Sequence, residues 1–268
     1  MNRTIGFIGC GNIAKAMIGG MIKTKKIDPK QIIVSNRSLS SLQEIEQTYG
    51  ILTTRENLEV AKNADFLFLT TTSGMYGTVI EEIRDVIREN TILILVAVGE
   101  TIEKNEKRLN RAIKIIKAMP NTPSLVGQGI TGIAVNDLVT PEDLEEIKAL
   151  FECFGRVEFV DESIMDVVTA IGGSSPAFTY MYIEALADGA VMYGMSRKQA
   201  YVFAAQAVLG AAKMLLETGM HPGTLKDSVC SPGGTTIESV ALLEDKGFRS
   251  AVIEAIKANM EKAKKIHG

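Results

Sequence analysis

Thr4-Ile5-Gly6-Phe7-Ile8-Gly9-Cys10-Gly11-Asn12-Ile13-Ala14 runs from a short apolar, β-rich stretch through two closely spaced glycines into an apolar-periodic helix. A bare GxGxxG/A arises in many ordinary turns. Between a strand and a helix it is the fingerprint of a Rossmann unit. Gly9 permits the tight turn, and Gly11 lets backbone approach a pyrophosphate seated on the helix N-terminus. Ala14 is small enough for close helix–strand packing. The residues therefore point to a bound dinucleotide.

The second strand bears on which dinucleotide. An NAD site usually ends it in Asp or Glu, which bonds the ribose 2′-hydroxyl. Here it reads Ile33-Val34-Ser35-Asn36-Arg37-Ser38, with no acid. A carboxylate would repel a 2′-phosphate, whereas Asn36, Arg37 and Ser38 offer donors and a positive charge. NADPH is favoured, with NADH possible.

Outward from this motif, residues 1–162 alternate strands and amphipathic helices, the pattern of a doubly wound parallel sheet. Expected strands are Thr4–Ile8, Gln31–Ser35, Asp65–Leu69, Thr91–Val98, Ile113–Lys117, Thr131–Val135 and Arg156–Val160. Thr140-Pro141-Glu142-Asp143 supplies an N-cap, a proline at the first helical position and early negative charge. Residues 163–268 lose the strand signal and read as helices throughout. The fold class expected is α/β: a Rossmann domain followed by an all-helical dimerisation and substrate domain. Within the helical part, Ser196-Arg197-Lys198-Gln199 has the form of a capping box. The helix Arg197–Glu217 is apolar around nearly its whole circumference, so it must be buried on all sides. A domain this small rarely encloses a helix completely, and a second subunit is expected to cover the other face.

Composition is that of an ordinary globular protein, and the net charge of −3 with interspersed signs offers no footprint for nucleic acid or an anionic membrane. The uncharged stretches Thr169–Ile183 and Ala200–Ala212 fall short of a span. Cys10, Cys153 and Cys230 form no CxxC, which suits a reducing compartment and indicates neither a disulfide framework nor a metal site. The opening residues carry no apolar leader core. A cytoplasmic protein is expected.

Hydrolytic and metal motifs are absent, and the only histidines are His221 and His267. His221-Pro222-Gly223 reads as a turn. A nicotinamide enzyme oxidising an alcohol needs a general base. Reduction of a protonated imine needs chiefly orientation and a hydrogen bond at nitrogen. Two polar glycine-rich turns, Gly172-Gly173-Ser174-Ser175-Pro176 and Ser231-Pro232-Gly233-Gly234-Thr235-Thr236, each lead into a helix whose free N–H groups suit a small carboxylate.

These residues carry a recognisable likeness. Gly6 to Ala14, Met119-Pro120-Asn121-Thr122-Pro123 and, most specifically, Lys226-Asp227-Ser228-Val229-Cys230-Ser231-Pro232-Gly233-Gly234-Thr235-Thr236 resemble the pyrroline-5-carboxylate reductases, and the likeness runs along nearly the full length. It implies reduction of a cyclic imine, 1-pyrroline-5-carboxylate, to L-proline by NAD(P)H, and a helical domain that intertwines with a partner's into a homodimer or larger assembly. It places the cofactor on Ile8, Gly9, Cys10, Gly11, Asn12 and Ile13, with the adenosine end near Asn36, Arg37, Ser38 and Asn57. The nicotinamide end falls near Thr70, Thr71, Thr72, Val96, Ala97 and Asn121. Substrate carboxylate is assigned to Ser174, Ser175, Gly234 and Thr235, and the hydroxyl of Thr236 to the ring nitrogen as the catalytic group.

Two departures stand out. Where the family usually reads Ala-Val-Lys-Pro, this chain has Thr70-Thr71-Thr72-Ser73; where it reads Ser-Gly-Ser-Gly-Pro-Ala-Tyr, this chain has Gly172-Gly173-Ser174-Ser175-Pro176-Ala177-Phe178. They leave open a related imine or hydroxy-acid reductase, for which Lys213 would be the lysine to examine, and a non-catalytic, dinucleotide-binding regulatory paralogue.

Overall fold

The computed structural model describes residues 3–267, with side chains through Lys265, so the side chain of His267 lies outside the described residues. The chain forms two compact units. One ends at Gly173 and takes up the chain again from Met260; the other is Ser174–Asn259.

The first unit holds, in order, β1 (Ile5–Ile8), α1 (Asn12–Lys23), β2 (Ile32–Ser35), α2 (Leu39–Tyr49), β3 (Leu52–Thr54), α3 (Asn57–Asn63), β4 (Phe66–Leu69), α4 (Tyr76–Ile83), β5 (Ile92–Leu95), α5 (Ile102–Leu109), β6 (Lys114–Met119), β7 (Gly129–Val135), α6 (Pro141–Phe151), β8 (Gly155–Phe159) and α7 (Met165–Val168). The strands make one sheet in the order β3-β2-β1-β4-β5-β6-β7-β8. Both faces of the sheet are covered, and β4 shows why its run FLFL is apolar without a break. Phe66 and Phe68 enter a core with α1 and α6, while Leu67 and Leu69 enter another with α3 and α4. Phe7 stacks on Phe68 with ring centroids 4.5 Å apart. A strand buried on both faces reads as continuous hydrophobicity.

All seven expected strands form. The wholly parallel sheet does not, because β7 pairs with β6 antiparallel. Only a 3₁₀ turn, Thr122–Val126, separates them, and without a crossover helix the chain can only return in the opposite direction. The edge strand β3 and helix α5 carry weak signals: β3 is three residues and part-exposed, and α5 is mostly charged. Thr140 caps α6 reciprocally with Asp143, as its sequence implies.

The second unit carries α8 (Ser175–Met192), α9 (Arg197–Thr218), α10 (Pro222–Val229), α11 (Thr235–Asp245) and most of α12 (Phe248–His267). Strands give way to helices near residue 162, but packing keeps Met165–Gly173 with the sheet, where Met165 is fully buried. Ser196 caps α9 through Gln199 N–H, yet the box is only half made: Gln199 Oε1 accepts from the Ser196 hydroxyl at 2.6 Å, not from its backbone.

Two expectations about helical segments change. Gly172–Ser175 is not an open turn. Thr169–Ser174 is a π-helix running directly into α8, so no fresh N-terminus opens there. Helix α9 is long and apolar enough to cross a membrane by length and composition. Counting only uncharged stretches missed this, because charges near its ends fall within the helix. Within the single chain α9 buries Ala200 and Ala204 and exposes Val202, Phe203 and Leu216.

Candidate functional site

The order β3-β2-β1-β4 reverses between β1 and β4, and at that switch point the loops after the strands part to leave a crevice. A cleft of about 270 Å³ lies there, lined by Ile8 to Gly11, Ser35 to Arg37, Asn57, Thr70 to Thr72, Met75 and Val79. Gly9 has φ +105°, and a Cβ on it would meet the Thr70 backbone at 2.9 Å. Its turn is thus open to glycine alone. A Cβ on Gly11 would meet nothing within 4 Å, so it would stand in open space where a ligand must come close. Gly11 is the N-cap of α1 and no side chain caps that helix, leaving its first N–H groups for an anion.

Two more observations test the fit of a dinucleotide. The Thr71 hydroxyl is buried without a hydrogen-bond partner, a costly state unless a ligand supplies one. Arg37 is exposed and pairs with no carboxylate among the described residues, and it stands just before the N-terminus of α2. Both fit a phosphorylated dinucleotide. Burial pushes the Cys10 thiol up, with Lys15 opposing and Glu44 adding to the shift, so Cys10 stays a neutral thiol.

Not every residue assigned from sequence reaches this cleft. Ser38 spends its hydroxyl capping α2. Asn57 does line the cleft, and it also joins two elements, accepting from the Ser35 hydroxyl at 2.8 Å and donating to Glu82 at 2.9 Å. Asn121, only 7% exposed, is outside the cleft lining and bridges two segments: its carbonyl accepts from Ile130 N–H at 3.0 Å and its amide donates to Gly172 O at 2.9 Å. The Val96 and Ala97 backbones are held by Tyr76, at 2.9 and 3.1 Å. Conversely, Ser35, Met75 and Val79 line the cleft and Tyr76 shapes its surroundings, and none was singled out from sequence. Ser35 alone had a signal, as the last residue of a strand level with Ile8.

Residues 4–99 match the family described as NADP oxidoreductase coenzyme F420-dependent, and residues 162–266 match pyrroline-5-carboxylate reductase dimerisation. The pyrroline-5-carboxylate reductase of Escherichia coli K12 is 48% identical over 266 residues, covering 99% of each chain. The chain belongs to the pyrroline-5-carboxylate reductases. Solved structures agree. The reductase of Coxiella burnetii superposes with a TM-score of 0.90 at 36% identity, over 100% of both chains. A Plasmodium falciparum pyrroline carboxylate reductase with NADP bound gives 0.89 at 28% identity, over 100% of this chain and 99% of that one. The protein is therefore an oxidoreductase with a Rossmann domain and a dimerisation domain.

The residues assigned to substrate all fall in the second unit. Gly234 is the N-cap of α11, again with no side-chain cap, after a turn in which Gly234 N–H donates to Ser231 O at 3.0 Å. That part of the sequence reading forms as expected: Thr235 and Thr236 open the helix with its first N–H groups uncapped. Ser174 Oγ accepts from Asn259 at 2.8 Å, and the Ser175 carbonyl accepts from Thr179 at 3.1 Å. His221 is an N-cap, its Nδ1 accepting from Gly223 N–H at 3.1 Å, which matches the turn reading. Lys213 is exposed and pairs with Glu217 at 3.5 Å.

Proposed function

We propose that this chain reduces the cyclic imine 1-pyrroline-5-carboxylate to L-proline with NADPH as the favoured reductant, NADH being a poorer one. The observation that carries the cofactor half is the cleft at the switch point, with Gly11 facing open space and Thr71 left without a partner. Family membership carries the substrate half.

On this reading the pyrophosphate rests on Gly9 to Ile13 and the α1 N-terminus. The 2′-phosphate meets Arg37 and Asn36, with the start of α2 adding favourable field. When bound, NADPH supplies a hydride to the imine carbon. The chain orients that carbon and holds the protonated ring nitrogen. The uncapped N–H groups at the start of α11, from Thr235 onward, take the substrate carboxylate beside Gly234, together with Ser174 and Ser175. The Thr236 hydroxyl faces the ring nitrogen, and the product leaves as a secondary amine. No general base is required, which accords with the engaged His221 and the exposed, ion-paired Lys213. Apolar α9 lies against a second copy, giving a homodimer able to assemble further. Three free cysteines suit a cytoplasmic setting.

The deciding assay follows loss of NADPH and NADH with 1-pyrroline-5-carboxylate, and identifies the product. Proline formed faster from NADPH supports the reading. Tight NADPH binding with no turnover would replace it by the regulatory alternative.

A further inference from the structure

Parallel strands that diverge at a switch point leave backbone groups beyond the last ladder pair, and in a buried setting each needs a partner. The ladders end at Ile8↔Leu69 and Leu69↔Leu95. Past them, two hydroxyls take over. Thr70 Oγ1 donates to Gly9 O at 2.8 Å and lies 3.2 Å from Ile8 O, joining the end of β4 to that of β1. Tyr76, fully buried, donates to Leu69 O at 2.6 Å and accepts from Val96 N–H at 2.9 Å and Ala97 N–H at 3.1 Å, joining β4 to β5. Three adjacent strand ends are thus stapled by two side chains from one short segment, whose Thr70 to Thr72 and Met75 line the cleft.

We infer that Tyr76 and Thr70 are positioning residues for hydride transfer, setting the backbone on which the nicotinamide end of the cofactor lies. This rests on the proposed NADPH binding and on the family resemblance, which implies that end near Thr70 to Thr72, Val96 and Ala97. Neither hydroxyl has a proton left to donate to the ligand: each has given its one to a strand end, and Tyr76 also accepts twice. Thr71, between them in sequence, is the hydroxyl left without a partner. The segment Thr70-Thr71-Thr72-Ser73 is where the family's usual lysine is missing. Burial raises the Tyr76 phenol far above its ordinary range, against the lowering effect of the Val96 and Ala97 N–H groups, so the staple stays neutral at any pH the enzyme meets.

The test is Tyr76→Phe, which keeps the ring and removes the bonds. Amide hydrogen exchange of the Leu95–Val98 peptide in the ligand-free protein should quicken. NADPH should bind about tenfold more weakly, and the deuterium isotope effect on turnover with deuterated NADPH should rise as misplacement slows hydride transfer. Binding of 2′,5′-ADP, which uses only the adenosine end, should stay unchanged. Faster exchange with NADPH affinity and isotope effect both unaltered would make the staple purely structural and overturn the inference. So would unaltered exchange. If Tyr76→Phe fails to fold, Thr70→Val and Thr70→Ser ask the same question on the β1 side. Serine should keep NADPH affinity and isotope effect near wild type while valine loses both, and equal behaviour of the two overturns the inference. Failure of wild-type protein to bind 2′,5′-ADP at all would instead sink the assignment of the cleft, and the staple's role with it.

Discussion

Arg37 and Thr236 are single side chains on which specificity and chemistry are expected to turn. Arg37 is exposed and pairs with no carboxylate among the described residues, so its charge is available to a 2′-phosphate. Arg37→Ala should weaken NADPH by about 1–3 kcal/mol, in the range of a charge-assisted hydrogen bond, while hardly changing NADH. Titration of both cofactors checks it, and equal weakening would remove the 2′-phosphate from Arg37. Thr236→Val is nearly isosteric and removes one hydroxyl. Turnover should fall by about tenfold to a hundredfold with NADPH affinity intact, the signature of a contact felt in the transition state. Turnover at the wild-type level would dismiss that role. Arg37 stands out by a local signal, the end of a strand, while Thr236 lies in a turn legible from sequence and takes its role from the family resemblance. Sequence could not foresee Asn121, whose amide is drawn to Ile130 and Gly172 by a fold that brings distant segments together.

Helix α6 shows how local signals and long-range charge combine in one element. Thr140 and Asp143 cap it reciprocally, and Lys114 on β6 reaches Asp143 at 2.6 Å. Burial raises the Asp143 carboxyl, but Lys114 and the Thr140 N–H and hydroxyl outweigh that and hold it below the usual range. A carboxyl depressed by folding stabilises fully above its unfolded value, and that contribution fades as pH falls through the folded one. Asp143→Asn should therefore cost about 2 kcal/mol at neutral pH and much less in strong acid. Urea unfolding of both proteins across that range checks it; a pH-independent gap would mean the charge is not what matters. The cap was legible in Thr140-Pro141-Glu142-Asp143. The lysine was not, because nothing local tells which strand lies beside the helix.

At the scale of the whole molecule, the helical unit leaves a large apolar area uncovered, with Val202 at 64% and Phe203 at 66% exposure on α9. The unit matches a dimerisation family, and the proposed partner would cover that surface. Phe203→Glu puts a charge where the partner's apolar face is expected, and should cost about 2 kcal/mol or more of association free energy. Light scattering should then show monomer at concentrations where wild type is dimeric or larger. An unchanged mass would move the interface off this face of α9.

The strand–turn–helix from Thr4 to Ala14, the missing acid after the second strand and the all-round apolarity of α9 were readable in the chain itself. Each is a pattern among residues close in sequence, and steric and hydrophobic periodicity fix its meaning within a few turns or one strand. The reversal of β7, the packing of Met165–Gly173 with the sheet, the π-helix before α8 and the Tyr76 staple were decided only by tertiary structure. Tyr76 meets Val96 across twenty residues of sequence because β4 and β5 pair in one register. A hydroxyl's partners are set by which backbone groups the fold leaves unpaired, and that is determined only once the sheet has formed.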